Sequence, residues 1–257
     1  MVLTRLLGAA LVTGASQGIG KAIAMRLAFD GYKVALNDLA HKREQLEAVA
    51  EDIDQKFGSG TFVIPADVSQ EEQVKQMISS TSKALDGLDV IVANAGIAGP
   101  FKPIADISME EWDQVHQVNI RGLFMCYKWA AKEMIARGSQ GRIIGASSTA
   151  GKQGVPNAAP YVASKFGIRG LTQTAALELG KYGITVNAYA PGPIETPMIE
   201  DILKDPSTLP QALNSLPSSA KVGQPEDIAS IVSYLASKEA HYITGQTICV
   251  NAGMYFD

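Results

Sequence analysis

Short apolar runs alternate with longer amphipathic stretches from one end of this chain to the other. The runs, at residues 9–13, 33–37, 61–65, 89–93, 142–146, 185–190 and 247–250, are apolar at consecutive rather than alternate positions. That is the pattern of parallel strands buried on both faces. Between them, residues 20–30, 43–57, 70–85, 109–137, 161–182 and 225–236 repeat apolar positions at helical spacing. Strand, helix, strand, helix over the whole length predicts an α/β chain: one doubly wound domain, residues 1–257, with a parallel sheet and helices on both faces. The apolar N-terminus runs straight into a glycine turn and shows no cleavage site, so it reads as the first strand rather than a signal peptide. The one irregular region, residues 195–224, is rich in Pro, Ser and Leu and interrupts the last βα unit. It falls at the carboxyl edge of the sheet, where a surface loop or a substrate lid belongs, and the position favours the lid.

Composition narrows the function classes. A net charge of −4 leaves no basic footprint for nucleic acid or an anionic membrane. No run approaches the ~18 apolar residues that span a bilayer. The two cysteines, Cys126 and Cys249, cannot build a disulfide framework, and the three histidines lie too far apart for metal-ligand spacing. These features point to a cytoplasmic protein without a metal.

The first loop, Thr13-Gly14-Ala15-Ser16-Gln17-Gly18-Ile19-Gly20, joins a strand to a helix with glycines spaced G-x-x-x-G-x-G. Glycine permits a tight turn and lets the backbone approach a pyrophosphate, whose charge a helix N-terminus favours. Asp38 ends the second strand, where a carboxylate can bond both ribose hydroxyls of NAD and repel a 2′-phosphate; a turn or N-cap residue is the other reading. No Lys or Arg occupies 15–17 or 39–40, although Lys42 and Arg43 follow. NAD(H) is therefore favoured, with NADP(H) left open. Asp67-Val68 after the third strand can flank an adenine, and Asn94-Ala95-Gly96 forms a small-residue turn after the fourth.

Tyr161 and Lys165, four apart, share one helix face, and Ser148 precedes the tyrosine by thirteen residues across a loop with Gly151, Gly154 and Pro156. A phenol, free pKa ~10, is a poor acid–base catalyst at neutral pH, and a nearby ammonium favours the phenolate. Tyr-x-x-x-Lys alone is a weak signal. Asn119, polar among Val118, Ile120 and Leu123, reads equally as a structural amide or a catalytic one.

Taken together, TGASQGIG at 13–20, Asp38, Asp67-Val68, NAG at 94–96, Asn119, Ser148, Tyr161-x-x-x-Lys165, Asn187 and Pro191-Gly192 with Thr196 resemble the short-chain dehydrogenase/reductase family over essentially the whole chain. The resemblance implies a seven-stranded sheet in order 3-2-1-4-5-6-7 and a homotetramer built on paired long helices. It implies that Tyr161 exchanges a proton with a carbonyl or alcohol oxygen, that Ser148 positions that oxygen, that Lys165 holds the nicotinamide ribose and lowers the tyrosine pKa, and that Asn119 holds a water linking Lys165 to solvent. The cofactor contacts it implies are Gly14, Ser16, Gln17, Gly18, Ile19, Gly20, Asp38, Leu39, Asp67, Val68, Asn94, Ala95, Gly96, Tyr161, Lys165, Pro191, Gly192, Ile194, Thr196 and Met198. Two departures, Ala93 before the NAG turn and Cys249-Val250-Asn251-Ala252-Gly253 near the end, lie outside the chemistry. Within the family the stretches 165–192 and 224–237 and the ending ITGQTICVNAGMYFD look like diacetyl/acetoin reductases and butanediol dehydrogenases. The implied partner is a small ketone or secondary alcohol. Its pocket would be lined by residues 95–99, Thr149, Ala150, Gln153, residues 157–159, Pro193 and Met198. A polyol or ketose dehydrogenase fits the same motifs. An acyl-thioester reductase is disfavoured by Asp38, and a non-catalytic dinucleotide-binding scaffold by the presence of Asn119, Ser148, Tyr161 and Lys165 together. In a tetramer, Tyr255 and Phe256 would reach a neighbouring subunit's site.

Overall fold

The computed structural model describes residues 7–203 and 222–257. Seven strands form a parallel sheet in the order β3-β2-β1-β4-β5-β6-β7. They are β1 (Gly8–Thr13), β2 (Tyr32–Asn37), β3 (Thr61–Val63), β4 (Val90–Ala93), β5 (Arg142–Ala146), β6 (Thr185–Pro191) and β7 (Thr247–Val250). Consecutive strand residues feed opposite cores, which is why the runs are apolar throughout. Ala10, Val12, Val90 and Val92 pack under α1 (Gly18–Phe29), α2 (Arg43–Phe57) and the helix Pro225–Ala236. Ala9, Leu11, Ile91 and Ala93 face α3 (Glu71–Leu85), α5 (Leu123–Arg137) and α6 (Ala159–Leu179). The chain departs from β1 toward β2 on one side and β4 on the other, so the carboxyl ends of β1 and β4 border the crevice where such sheets bind ligands.

Several boundaries differ from the sequence reading, among them those of β1, β3 and the stretch 109–137. β1 begins at Gly8, and residues 1–6 lie outside the described part. β3 ends at Val63 rather than at Pro65, whose missing N–H cannot extend a ladder. The stretch 109–137 is one continuous helical path in three pieces: α4 (Met109–His116), a π-helical segment (Gln117–Gly122) and α5. Ser108 and Glu111 cap its start reciprocally. At the wide turn the Asn119 side chain bonds a neighbouring loop, and Gly122 abuts Val68, where a Cβ would stand 3.1 Å from the Val68 carbonyl oxygen. Of the irregular region, α7 (Pro197–Leu203) and residues 222–224 are described, with the Pro225–Ala236 helix, α8, following; residues 204–221 of the expected lid lie outside. Its two described ends are clamped, Glu195 N–H donating to the Gly223 carbonyl (2.8 Å) and Gly223 N–H to that of Pro193 (3.0 Å). Among the described residues no helix is long and apolar enough to cross a membrane.

Candidate active site

The carboxyl ends of β1, β2, β4, β5 and β6 open into one cavity of about 1020 Å³, as large as the largest ordinary ligand pockets (~1,000 Å³). At the β1 end the floor is bare backbone. A Cβ on Gly20 would stand 2.1 Å from the Gly14 carbonyl oxygen, so the first turn of α1 can lie against the β1 loop only with glycine there. Gly14 and Gly18 have φ of 67° and 53°, in the left-handed region. The loop is braced from beneath. The Thr13 hydroxyl accepts the N–H groups of Asn94 and Ala95, both at 3.0 Å, and Asn94 Nδ2 donates to the Thr13 carbonyl at 2.8 Å. Asn94 Oδ1 in turn accepts from the Tyr189 hydroxyl of β6 at 2.8 Å.

At the end of β2 the Asp38 carboxylate is held on both oxygens: Oδ2 accepts from the Ser16 hydroxyl (2.6 Å) and Oδ1 from the Leu39 N–H (2.9 Å). Asp38 thus organises its own turn, as one of the two sequence readings had it, and also borders the cavity. Lys42, half-buried, lines the cavity too and stands closer to it than its spacing suggested. Asp67 orders its own turn by accepting the Ser69 N–H at 2.8 Å.

Gly14, Gln17, Gly18, Ile19, Gly20, Asp38, Leu39, Asp67, Val68, Asn94, Ala95, Gly96, Ser148, Tyr161, Lys165, Pro191, Gly192, Ile194, Thr196 and Met198 all line this cavity. Ser16 and Asn119 do not. Ser16 serves Asp38 from behind. Asn119 is 1% exposed; its Oδ1 accepts the Ile97 N–H at 2.8 Å and its Nδ2 donates to the Ile97 carbonyl at 2.9 Å and to Ser164 Oγ at 3.2 Å. Ser164 Oγ donates to the Tyr161 carbonyl at 2.7 Å. The amide thus ties the β4 loop to the helix that carries Tyr161 and Lys165, a link for which the buried serine before Lys165 was the overlooked signal.

Tyr161 and Lys165 lie on successive turns of α6, with Lys165 Nζ 5.4 Å from the tyrosine ring centre. Nζ donates to the Ala146 carbonyl at 2.7 Å, and Ser147 Oγ donates to the Lys165 carbonyl at 3.1 Å, fastening α6 to the end of β5. Ser148 Oγ accepts the Ala150 N–H at 3.1 Å, which leaves its hydrogen free to donate. The sequence argument had the ammonium lowering the phenol. In the folded chain burial dominates and pushes the Tyr161 phenol up, opposed by the Ser148 hydroxyl, and it lowers the Lys165 ammonium to about 8. Tyr161 is accordingly a neutral acid at pH 7.

The other end of the cavity is lined by Phe101, Gln114, Gln117, Val155 and Met254, besides the expected Ala95, Gly96, Ile97, Ala98, Thr149, Ala150, Gln153, Asn157, Ala158, Pro193 and Met198. Gly99 and Ala159 do not line it: Gly99 turns onto Val115, and Ala159 opens α6. Gln114 and Gln117 come from α4 and the π-helical segment, faces that spacing alone does not aim. Met254 brings the C-terminal tail to the cavity of its own chain, while Phe256, expected from sequence to meet a neighbouring subunit, is 82% exposed. Among the described residues no cluster of His, Cys, Asp or Glu could hold a metal ion, and both cysteines are free.

Bare backbone at a helix N-terminus, followed by a fixed carboxylate at the next strand end, fits a dinucleotide. Comparison with known proteins agrees. A family model described as enoyl-(acyl carrier protein) reductase matches residues 14–255. A short-chain dehydrogenase/reductase of Armillaria gallica is 53% identical over 252 residues, 96% of each chain. A 3-oxoacyl-[acyl-carrier-protein] reductase of Staphylococcus aureus is 47% identical over 249 residues, 96% of this chain and 97% of the relative. The crystal structure of levodione reductase superposes with a TM-score of 0.90 at 33% identity, covering 97% of this chain and 98% of that one. The chain belongs to the short-chain dehydrogenase/reductase family, oxidoreductases that bind a nicotinamide dinucleotide.

Proposed function

We propose that this protein is an NAD(H)-dependent carbonyl reductase/alcohol dehydrogenase that interconverts a small, uncharged ketone of diacetyl or acetoin type and its secondary alcohol. The observation that carries the reading is the convergence of Ser148, Tyr161 and Lys165 on one cavity whose opposite end is a glycine-floored helix N-terminus. The cofactor, when bound, supplies hydride transfer. Gly14, Gly18, Gly20 and the α1 N-terminus would hold its pyrophosphate, Asp38 its adenosine ribose, Lys165 its second ribose, and Pro191, Gly192, Ile194 and Thr196 its remaining edge.

In the reducing direction Tyr161 Oη gives a proton to the carbonyl oxygen, and in the oxidising direction it takes one back. Ser148 donates its free hydrogen to the same oxygen and holds it against the phenol. The Lys165 ammonium, anchored on the Ala146 carbonyl, favours the phenolate left by proton transfer. Asn119 acts by fixing the β4 loop and α6 relative to each other.

The amides Gln114, Gln117, Gln153 and Asn157 suit a ketone with a second hydrogen-bonding oxygen, amid otherwise small or apolar walls. The fixed Asp38 carboxylate favours NAD over NADP. A second reading, reduction of a 3-oxoacyl thioester, is favoured by the 47% identity to an enzyme named for it. The exposed Phe124 of α5 and Phe166 and Leu177 of α6 are consistent with pairing of these helices in a homotetramer.

The test is NADH and NADPH oxidation with diacetyl, acetoin, a cyclic diketone, a ketose and acetoacetyl-coenzyme A. Turnover with NADH and a low Michaelis constant for diacetyl supports the proposal. Uniformly high Michaelis constants for short ketones contradict it, and turnover confined to the thioester selects the second reading.

A further inference from the structure

Four residues after Ser148 stands a lysine with no place in the chemistry described above. Lys152 has a side chain 1% exposed and lies outside the cavity lining. It ends the 3₁₀ turn Thr149–Gly151 that Ser148 begins. Backbone bonds make that turn one stiff unit: Gly151 N–H to the Ser148 carbonyl (2.8 Å), and Lys152 and Gln153 N–H to that of Thr149 (2.9 and 3.1 Å). Moving Lys152 therefore moves Ser148 and Gln153.

A buried ammonium needs a counter-charge. The acid that meets it is Asp257, whose carboxylate forms a salt bridge with Lys152 and lies 3.9 Å from Arg169 of α6, one turn beyond Lys165. Bonding to Lys152 holds the Asp257 carboxyl below its usual range. The segment that delivers Asp257 is itself folded. Asn251 Nδ2 donates to the Tyr255 carbonyl and Asn251 Oδ1 accepts the Gly253 N–H, both at 3.0 Å. Upstream, the Val250 carbonyl accepts the Gly192 N–H at 2.9 Å, and Met254 faces the cavity. One ion pair thus closes a path from the β6 end, through the Met254 wall, to the turn that bears Ser148.

We propose that Lys152 and Asp257 form a positioning latch that holds the Ser148 turn and the Met254 wall in register, so that substrate orientation depends on an ion pair that touches neither substrate nor cofactor. The inference rests on Ser148 being the hydroxyl that orients the substrate oxygen. Neutralising Asp257 leaves the Lys152 ammonium buried and unpaired, and the turn must shift to hydrate it. The pyrophosphate and adenosine end, built on the glycine turn after β1 and on Asp38 after β2, stays as it was.

The experiment compares Asp257→Asn, Asp257→Glu, Lys152→Met and Lys152→Arg, assayed with the best carbonyl of the panel above, with NADH affinity by fluorescence and thermal midpoints measured alongside. Asp257→Asn and Lys152→Met should each lower kcat/KM about tenfold, with NADH affinity within twofold of wild type. Asp257→Glu should recover most of the loss. Full activity in Asp257→Asn overturns the proposal, as does a loss that falls equally on NADH affinity and thermal stability, or an equal defect in Asp257→Glu. Ser148→Ala runs in the same series. If it keeps wild-type turnover the catalytic assignment fails and the latch with it, whereas an inactive Ser148→Ala beside a fully active Asp257→Asn refutes the latch alone.

Discussion

The two ends of the cavity are built from different materials. The dinucleotide end is backbone: glycine turns at strand ends, a helix N-terminus, and side chains such as Thr13, Ser16 and Asn94 whose partners belong to the same frame. The opposite end, where the proposed carbonyl would sit, is side chain, contributed by α4, the π-helical segment, the Ser148–Tyr161 connection, α7 and the C-terminal tail. A backbone site tolerates few substitutions and serves one ligand. A side-chain site on loops can change its ligand without disturbing the sheet.

Substitutions sharpen that contrast. Of the changes that leave Tyr161 in place, the largest effect belongs to the backbone end: Gly20→Ala must place a methyl group against the Gly14 carbonyl. Overpacking of this kind costs about 1–3 kcal/mol, so NADH affinity measured by fluorescence titration should fall by up to about 100-fold. An unchanged affinity would show that the loop can move, and the contrast would fail there. Next comes pH. Burial lowers the Lys165 ammonium to about 8, so it is charged below that pH and neutral above it. Carbonyl reduction should therefore fall as pH rises through about 8, approaching tenfold per unit, in a kcat/KM profile, which reports groups of the free enzyme. Asp38→Ala removes the carboxylate that opposes a 2′-phosphate while leaving Lys42 nearby. Charge-assisted bonds carry about 1.5–3 kcal/mol, and the NADH-to-NADPH ratio of kcat/KM should drop by at least about tenfold. The smallest effect belongs to the side-chain end. Gln114→Leu and Gln117→Leu each remove a neutral hydrogen-bonding group worth about 1 kcal/mol, and should raise the Michaelis constant of the ketone about fivefold with NADH affinity unchanged.

Legibility in the sequence divides along the same line. The alternation of strands and helices, the glycine turn and the shared helix face of Tyr161 and Lys165 were readable because each rests on local spacing: buried strands are apolar at every position, and residues four apart share a helix face. The sheet order and the grouping of Ser148 with that pair came from the family resemblance, since local spacing cannot order strands. Asn119 could be found but not assigned, since its partners, Ile97 and Ser164, are remote in the chain and the wide helical turn around it leaves no periodic signature. The burial that opposes the ammonium at Tyr161 was hidden for a related reason. Spacing shows that an ammonium is near, and only the fold shows that Lys165 is buried and Tyr161 partly so. Gln114, Gln117, Tyr189, Met254 and the Lys152–Asp257 pair escaped altogether, because each reaches the site from an element whose orientation is set by tertiary packing.

The central claim is that a backbone-built end binds the dinucleotide while Tyr161 carries the proton. It is tested most directly by comparing wild type with Tyr161→Phe in two assays, NADH affinity by fluorescence and NADH oxidation with the best carbonyl of the panel. General acid catalysis contributes about 10²–10⁴-fold. The account predicts a loss of that size in turnover, with NADH affinity within about twofold of wild type. Turnover within tenfold of wild type, or NADH binding lost along with it, would contradict the account.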